Sequence, residues 1–467
     1  MIARLTVGCV VRASGGDLLC GDPEALVAGV SIDTRTLAQG FLFFAIRGPQ
    51  HDAHCFLAEA VARGAAALVV EDASALPARR PAGLAAIRVD DTTRALGAVA
   101  ADHRARFAGP VVAITGSNGK TTTKEMCAAI LEQSGPCLRT RGNLNNAYGL
   151  PLTLLSRQAE DRTAVVELGM NHRGEIAALA DIARPTVGVV TNVGSAHIEY
   201  LGSREEIARE KADLLAAVPP EGTAVLLWDD PLLRGEAARV CARLVRFGLC
   251  PEADVRAERI TRPEPGWFAF ELVEPGGRRA VRVAGLHEGT VPNALAAAAA
   301  ARAAGATLDH VVAGLAVCRP APGRMNLRAL PGDVWLIDDT YNANPQSMAA
   351  ALRGLADLGG PGRTLAVLGD MGELGDAAPE AHREAGRLAA HLGVDRLVAV
   401  GAHAGEVLRG AREAGLAPER AVEGKDAEDA VARVGRLRPH DRVLVKGSRS
   451  MRMERVVAGL AALAGEA

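Results

Sequence analysis

Residues 111–114 form a short apolar run, Val-Val-Ala-Ile, and the next eight residues read Thr115-Gly116-Ser117-Asn118-Gly119-Lys120-Thr121-Thr122. The run suits a buried parallel strand, Gly116 and Gly119 permit a tight turn, and residues 124–131 are compatible with a helix. Strand, glycine loop and helix in that order put backbone N–H groups around a concave anion site. Lys120 completes the site with a point charge, and Thr121 offers a hydroxyl to a magnesium ion. A full-length Walker loop has a glycine five residues before the second one, and here that residue is Ile114, so the loop is a shortened variant. The competing structural reading is a Gly-Asn turn ahead of an ordinary helix. Gly-Lys-Thr directly after an apolar strand favours phosphate.

A chain of 467 residues exceeds one core and predicts three α/β domains, over residues 1–90, 91–318 and 319–467. The N-terminus, with Thr6-Val7-Gly8-Cys9, reads as a first strand. Strands are then expected over 41–46 and 67–70 with a helix over 54–63, and residues 91–107 read as a connecting helix. The central domain continues with strands over 164–167, 187–191 and 224–228, interleaved with helices over 175–182 and 205–217. Such alternation implies a mainly parallel sheet covered by helices. Residues 267–273 and 280–283 suggest a hairpin folded back on that sheet. The last third repeats the rhythm, with strands over 334–337, 364–368, 396–400 and 442–445. A net charge of −2 argues against nucleic acid or an anionic membrane surface as the main partner. The eight cysteines are scattered without a C-x-x-C pair, which fits a reducing cytoplasm and neither a zinc site nor a disulfide framework. The alanine run over 293–301 is stopped by Arg302 and Gly305 and is a buried helix, too short for membrane insertion.

Polar residues gather where the strands end. Glu167 closes one central strand, and Thr191, Asn192 and His197 follow the next. In open α/β sheets the ligand crevice lies off the carboxyl ends of the strands, so these residues and the glycine loop share a rim. Thr121, Glu167 and His197 are candidate magnesium ligands, although Glu167 alone could cap a turn and His197 alone could be a hydrogen-bonded core histidine. Lys211 closes the stretch Glu205-Glu206-Ile207-Ala208-Arg209-Glu210-Lys211, whose alternating charges read as a solvated helix face. In the N-terminal domain, Asp33 and Arg35 pair a carboxylate with a guanidinium near a turn. His51 and His54 could bind a metal, but Asp52 capping a helix is the simpler account. Two α/β domains with facing polar rims would enclose a nucleotide and a substrate between them.

The loop at 115–122 resembles the shortened ATP loop of the Mur ligase family, which explains Ile114. Gly142-Asn143-Leu144-Asn145-Asn146, Glu167-Leu168-Gly169-Met170-Asn171-His172, Asp338-Asp339-Thr340-Tyr341-Asn342-Ala343-Asn344-Pro345, Leu368-Gly369-Asp370-Met371-Gly372-Glu373-Leu374 and Val445-Lys446-Gly447-Ser448-Arg449-Ser450 resemble its motifs too. The resemblance runs from Asp33 to Arg449. It implies a central P-loop-type parallel-sheet domain, a small N-terminal α/β domain for a uridine nucleotide and a Rossmann-like C-terminal domain.

The resemblance implies an ATP-dependent ligase, in which Lys120 and the amides of Thr115 to Thr122 hold phosphates. Thr121, Glu167 and His197 would serve magnesium, and Lys211 falls where the family carries a carbamylated lysine, reversing the charge-pattern reading. Asn293 matches an adenine-side asparagine, Arg324 a phosphate-contacting arginine, and Asp339, Tyr341 and Asn342 the ribose and adenine contacts. Lys120, Lys211, His197 and Arg324 form the implied catalytic set. Ser31, Asp33, Thr34, Arg35, Asp52 and His54 match the segments that hold the uridine end, while Asn143, Asn145 and Asn146 would line the muramoyl-peptide path. Lys446, Ser448 and Arg449 complete the implied substrate contacts. Between His287 and Asn293 the spacing is two residues longer than the family's usual pattern. Tyr341-Asn342-Ala343-Asn344-Pro345 points to the branch that joins D-alanyl-D-alanine to UDP-N-acetylmuramoyl-tripeptide through an acyl phosphate, in the bacterial cytoplasm and as a monomer. The same segment argues against a folate polyglutamylating enzyme and against the ligase adding the third peptide residue. A regulatory nucleotide-binding protein, closing on ATP without making a bond, is the reading from a different class.

Overall fold

Strands buried on both faces read as unbroken apolar runs, and Val111–Thr115, Thr163–Glu167 and Val187–Val190 are buried at every position. The computed structural model describes residues 5–48, 51–194 and 198–465, and in it these strands lie side by side in a nine-stranded sheet. Val111–Thr115 sits between Val187–Val190 and Thr163–Glu167, parallel to both. The chain leaves the loop strand towards one edge of the sheet and later returns on its other side. That reversal opens a crevice at the carboxyl end of Val111–Thr115. The helix after the loop begins at Lys120 and runs to Leu131. It packs on the buried, alanine-rich helix Thr290–Ala303.

The C-terminal sheet runs Asn326–Leu330, Val334–Asp339, Arg442–Lys446, Thr364–Gly369, Arg396–Val400, Ala421–Gly424, parallel except for its first pair. Asp339 and Lys446 are register partners at the carboxyl ends of neighbouring strands. The N-terminal sheet has five strands, with Asp17–Cys20 antiparallel to Ala85–Arg88 at one edge and the rest parallel. One apolar cluster continues from Val10 and Phe44 through Leu96 and Val99 of the connecting helix Thr92–Ala105 to Leu150 and Leu168 beneath the central sheet. The C-terminal sheet has its own cores on its two faces. Its helix Pro345–Asp357 meets the central unit through the ion pairs Arg262–Asp357 at 2.7 Å and Arg353–Glu288 at 3.5 Å.

Three expectations change. The first element is the helix Val7–Ser14, not a strand: the Thr6 hydroxyl accepts from the Cys9 N–H at 3.2 Å, Gly15 closes the helix at φ 67°, and Val7 and Val10 bury one face. The hairpin Trp267–Glu274 and Gly277–Ala284 does not fold back on the sheet. An additional strand, Val255–Thr261, pairs with Arg243–Gly248, so the hairpin extends the sheet at its edge. Glu210 and Lys211 are not on a solvated face, because the helix Arg204–Ala216 buries both together with Ile207, Ala208, Leu214 and Leu215. All eight cysteines are free thiols, and no helix among the described residues is long and apolar enough to cross a membrane.

Candidate active site

The loop needs glycine at two points for steric reasons. Gly116 has φ 151° and a Cβ there would collide with Thr191 Oγ1; Gly119 has φ 79° and a Cβ there would meet Asn293 Oδ1. Asn118 is pinned to the next strand end: its N–H donates to Asn192 Oδ1 at 2.9 Å, and its carbonyl accepts from Asn192 Nδ2 at 2.9 Å and Thr191 Oγ1 at 2.7 Å. Lys120 Nζ donates back to Gly116 O at 2.6 Å and Ser117 O at 3.4 Å. Desolvation holds its ammonium below the usual lysine range, against the pull of Glu167 and with a further push from Arg324. Thr115 and Thr122 line the same cavity. The longer spacing after His287 is absorbed by a turn in which Gly289 N–H donates to His287 Nδ1 at 3.1 Å, and Asn293 still faces the loop from the first turn of its helix.

Glu167 collects oxygen chemistry at the strand end. One carboxylate oxygen accepts from Thr121 Oγ1 at 2.9 Å, the other from Asn145 Nδ2 at 2.8 Å, and Glu167 N–H donates to Thr140 Oγ1 at 3.0 Å. A hydroxyl and a carboxylate beside a phosphate loop are the hard donors that magnesium shares with nucleotide phosphates. Among the described residues no group of three or more His, Cys, Asp or Glu could hold a metal alone, so the donor set fits a magnesium–nucleotide complex better than an all-protein cage. His197 lies outside the described residues. Lys211 is 1 % exposed. Burial first, and then the charge of Lys120, hold its amine well below the lysine range. The adjacent Glu210 is committed elsewhere, accepting from Gly174 N–H at 2.9 Å and Ile176 N–H at 3.1 Å at the start of the helix Glu175–Ala183.

The opposite wall comes from the C-terminal sheet. The Arg324 guanidinium stacks 3.8 Å from the centre of the Tyr341 ring, with its buried Nε unpartnered among the described residues. Asp339 accepts from Lys446 Nζ at 2.5 Å and Met325 N–H at 3.0 Å, and Lys446 also donates to Asn342 O at 2.8 Å. Asn344 Nδ2 bridges the walls by donating to Asn118 Oδ1 at 2.9 Å. Together the walls bound a cavity of about 1280 Å³, whose lining also includes Asn143, Asn146, Ser448 and Arg449.

The N-terminal candidates lie outside this cavity. Ser31 Oγ donates to Asp33 O at 2.9 Å, and Asp33 caps the turn Thr34–Thr36 and pairs with Arg35 at 2.6 Å. Asp52 caps the turn Ala53–Phe56, the capping role expected of it. Its carboxyl falls to about 2, chiefly through the His54 N–H. His54 Nδ1 contacts Asp52 at 2.6 Å while Nε2 accepts from Glu71 N–H at 3.0 Å, an arrangement in which Nδ1 donates to the carboxylate. Sequence reasoning missed Glu175, Arg204 and Glu373 as cavity residues. The available signal was the one that found Glu167, since Glu373 lies four residues beyond the strand Thr364–Gly369.

Family models match nearly the whole chain: residues 26–104 match the Mur ligase family catalytic domain, 114–301 the Mur ligase middle domain, and 323–449 the Mur ligase glutamate ligase domain. The chain is 38 % identical over 459 residues to the UDP-N-acetylmuramoyl-tripeptide–D-alanyl-D-alanine ligase of Escherichia coli (strain K12), covering 95 % of this chain and 96 % of the relative. Crystal structure I of MurF from Acinetobacter baumannii superposes with a TM-score of 0.88 at 35 % identity over 99 % of each chain. The MurF ligase from Thermotoga maritima in complex with ADP superposes at 0.81 with 30 % identity, covering 94 % of this chain and 98 % of that one.

Proposed function

The chain belongs to the Mur ligase family, and from that premise we propose that it joins D-alanyl-D-alanine to UDP-N-acetylmuramoyl-tripeptide at the expense of ATP. The products are UDP-N-acetylmuramoyl-pentapeptide, ADP and phosphate, in peptidoglycan precursor synthesis. The terminal carboxylate of the tripeptide attacks the γ-phosphorus of ATP and ADP leaves. The amine of the dipeptide then attacks the acyl phosphate carbonyl, loses a proton and expels phosphate.

The chain's own groups suit those steps. Loop amides and Lys120 neutralise the phosphoryl group in transfer, a role favoured by a cation that the loop already desolvates in part. Thr121, Glu167 and His197 would hold magnesium, which when bound adds charge neutralisation at the phosphates. Arg324, stacked on Tyr341, reaches the nucleotide from the other wall, and Asn293 faces it from behind the loop. Asp339, Tyr341 and Asn342 serve the ribose and adenine, with Asp339 fixed by Lys446. Lys211 is carbamylated in the working enzyme: burial disfavours its charged form, and in its unprotonated form the amine adds to carbon dioxide and releases a proton, which puts an anion in the cavity that Thr121 and Glu167 also line. Ser31, Asp33, Thr34, Arg35, Asp52 and His54 hold the uridine end, and Asn143, Asn145 and Asn146 the muramoyl peptide. The three functional domains span 1–90, 91–318 and 319–467, and the enzyme works as a cytoplasmic monomer.

The observation that carries this reading is the meeting of the phosphate loop with the Asp338-to-Pro345 segment around one cavity, bridged by Asn118 and Asn344. Phosphate release should require ATP, UDP-N-acetylmuramoyl-tripeptide and D-alanyl-D-alanine together. Lys120→Ala should lower it at least about a hundredfold while leaving the circular dichroism spectrum unchanged. ATP binding without amine-dependent phosphate release would favour a regulatory nucleotide-binding protein.

A further inference from the structure

A dipeptide substrate arrives as a zwitterion, so its ammonium needs an anionic partner on the wall that faces the phosphoryl group. The segment after the strand Thr364–Gly369 presents one. Glu373 lines the cavity with φ 60°, a left-handed backbone that a non-glycine residue rarely adopts. Such strain persists only where the flanks dictate it.

Both flanks are fixed here. Asp370 accepts from Ala402 N–H at 2.8 Å and His403 N–H at 3.0 Å, while its carbonyl accepts from Ser448 N–H at 2.8 Å. Met371 N–H donates to His382 Nε2 at 2.8 Å. The buried His382 ring is held in turn by Nδ1 donating to Ala378 O at 2.6 Å. On the far side Leu374 is buried. The ring of His382 therefore acts as a brace, and the strained residue beyond it lines the cavity.

Two observations say where that carboxylate acts. It lines one cavity with Lys120, whose ammonium its charge favours. Gly372, the residue before it, sits beside Ser448: a Cβ on Gly372 would lie 3.8 Å from the Ser448 Cβ. Glu373 thus lines the same cavity as Lys120 and follows directly on the glycine beside Ser448, while the neighbouring Arg449 pairs with Glu454 at 3.2 Å. The geometry points to Glu373 as the residue that binds the ammonium of D-alanyl-D-alanine beside the acyl phosphate; there the ammonium gives one proton to water, and the free amine attacks. The assignment rests on the ligase reading given above and goes beyond it by naming the amine's recognition group.

The test pairs a variant with a substrate analogue. In Glu373→Gln the KM for D-alanyl-D-alanine should rise about ten- to a hundredfold, the range of one charge-assisted hydrogen bond, while the KM values for ATP and the muramoyl nucleotide stay within about twofold. Propanoyl-D-alanine has the dipeptide's shape without its amine, and its inhibition constant should be nearly the same in both enzymes. Glu373→Asp, which keeps the charge, should recover part of the loss. Glu373→Gly relieves the left-handed backbone and should match or exceed the wild-type thermal midpoint, yet lose dipeptide affinity as Gln does. An unchanged dipeptide KM in Gln and Gly, or an equal rise for all three substrates and for the analogue, overturns the assignment. A wild-type enzyme that forms no amide bond would instead overturn the ligase reading itself.

Discussion

The two walls of the cavity each bury a lysine to 1 % exposure and treat it oppositely. On the C-terminal wall, Lys446 meets its register partner Asp339 at 2.5 Å and a carbonyl at 2.8 Å, so the charge is balanced within the protein. On the central wall, Lys211 feels Lys120 as its strongest charged neighbour, and the adjacent Glu210 is spent on the start of another helix. A buried cation therefore says little until its partner is known. Lys446 fixes the shape of the segment from Asp339 to Asn342. Lys211 stays unbalanced until negative charge arrives, from phosphates or from a change to the lysine itself.

The contrast breaks most readily in stability. Lys446→Met strands a buried carboxylate and should cost about 3–5 kcal/mol in denaturant unfolding, whereas Lys211→Met removes a desolvated amine and should cost little or even stabilise. Adding Asp339→Asn to Lys446→Met should return much of the loss. Equal destabilisation by the two methionine variants would show that the lysines are not differently balanced. Both single variants should lose ligase activity, so the separation lies in the unfolding curves.

A third buried group asks whether missing partners always mark function. His103, on the connecting helix and not among the residues that line the cavity, is 2 % exposed with Nε2 unpartnered among the described residues. Burial, aided by Arg157 and Arg106, pushes its pKa down to about 4. The folded state keeps the ring neutral while the unfolded chain takes up a proton below the ordinary histidine value. Stability from this group is complete above about pH 6.5 and falls as the pH drops towards 4, by about 3 kcal/mol at most. His103→Gln should flatten that part of the stability–pH curve and leave the KM values unchanged. A changed KM would make His103 part of the site after all.

These cases also show what the sequence makes legible. A phosphate loop is readable because its backbone demands glycine at fixed places, and Gly116 and Gly119 satisfy that demand locally. Lys211 was hidden by its charged neighbours, although Ile207, Lys211 and Leu214 follow helical spacing and put the lysine on the apolar face. The first helix was misread because its valines suit strands, while the decisive signals were Thr6 at one end and Gly15 at the other. Strands Asn326–Leu330 and Ala421–Gly424 are sheet edges with exposed positions, and short edges carry weak patterns. The bracing of Glu373 by His382 joins groups from a strand end and the next helix, a relation that no local spacing encodes.

The smallest expected effect concerns the bond that joins the walls. Asn344 does two jobs: its Oδ1 accepts from Ser347 N–H at 2.9 Å and caps the helix Pro345–Asp357, while its Nδ2 donates to Asn118 Oδ1 at 2.9 Å. Substitutions can separate them. Asn344→Ala removes both and should cost about 1 kcal/mol of stability through the lost cap. Asn344→Ser keeps a capping hydroxyl but cannot donate across the cavity. Its stability should stay within a few tenths of a kcal/mol of wild type, with kcat/KM for ATP falling about two- to tenfold, the worth of one net hydrogen bond. If the serine variant matches wild type in kinetics, the bridge contributes nothing to catalysis and the two walls are aligned by the ion pairs along Pro345–Asp357 instead. If serine and alanine lose the same activity despite different stabilities, the bridge, rather than the cap, couples the walls.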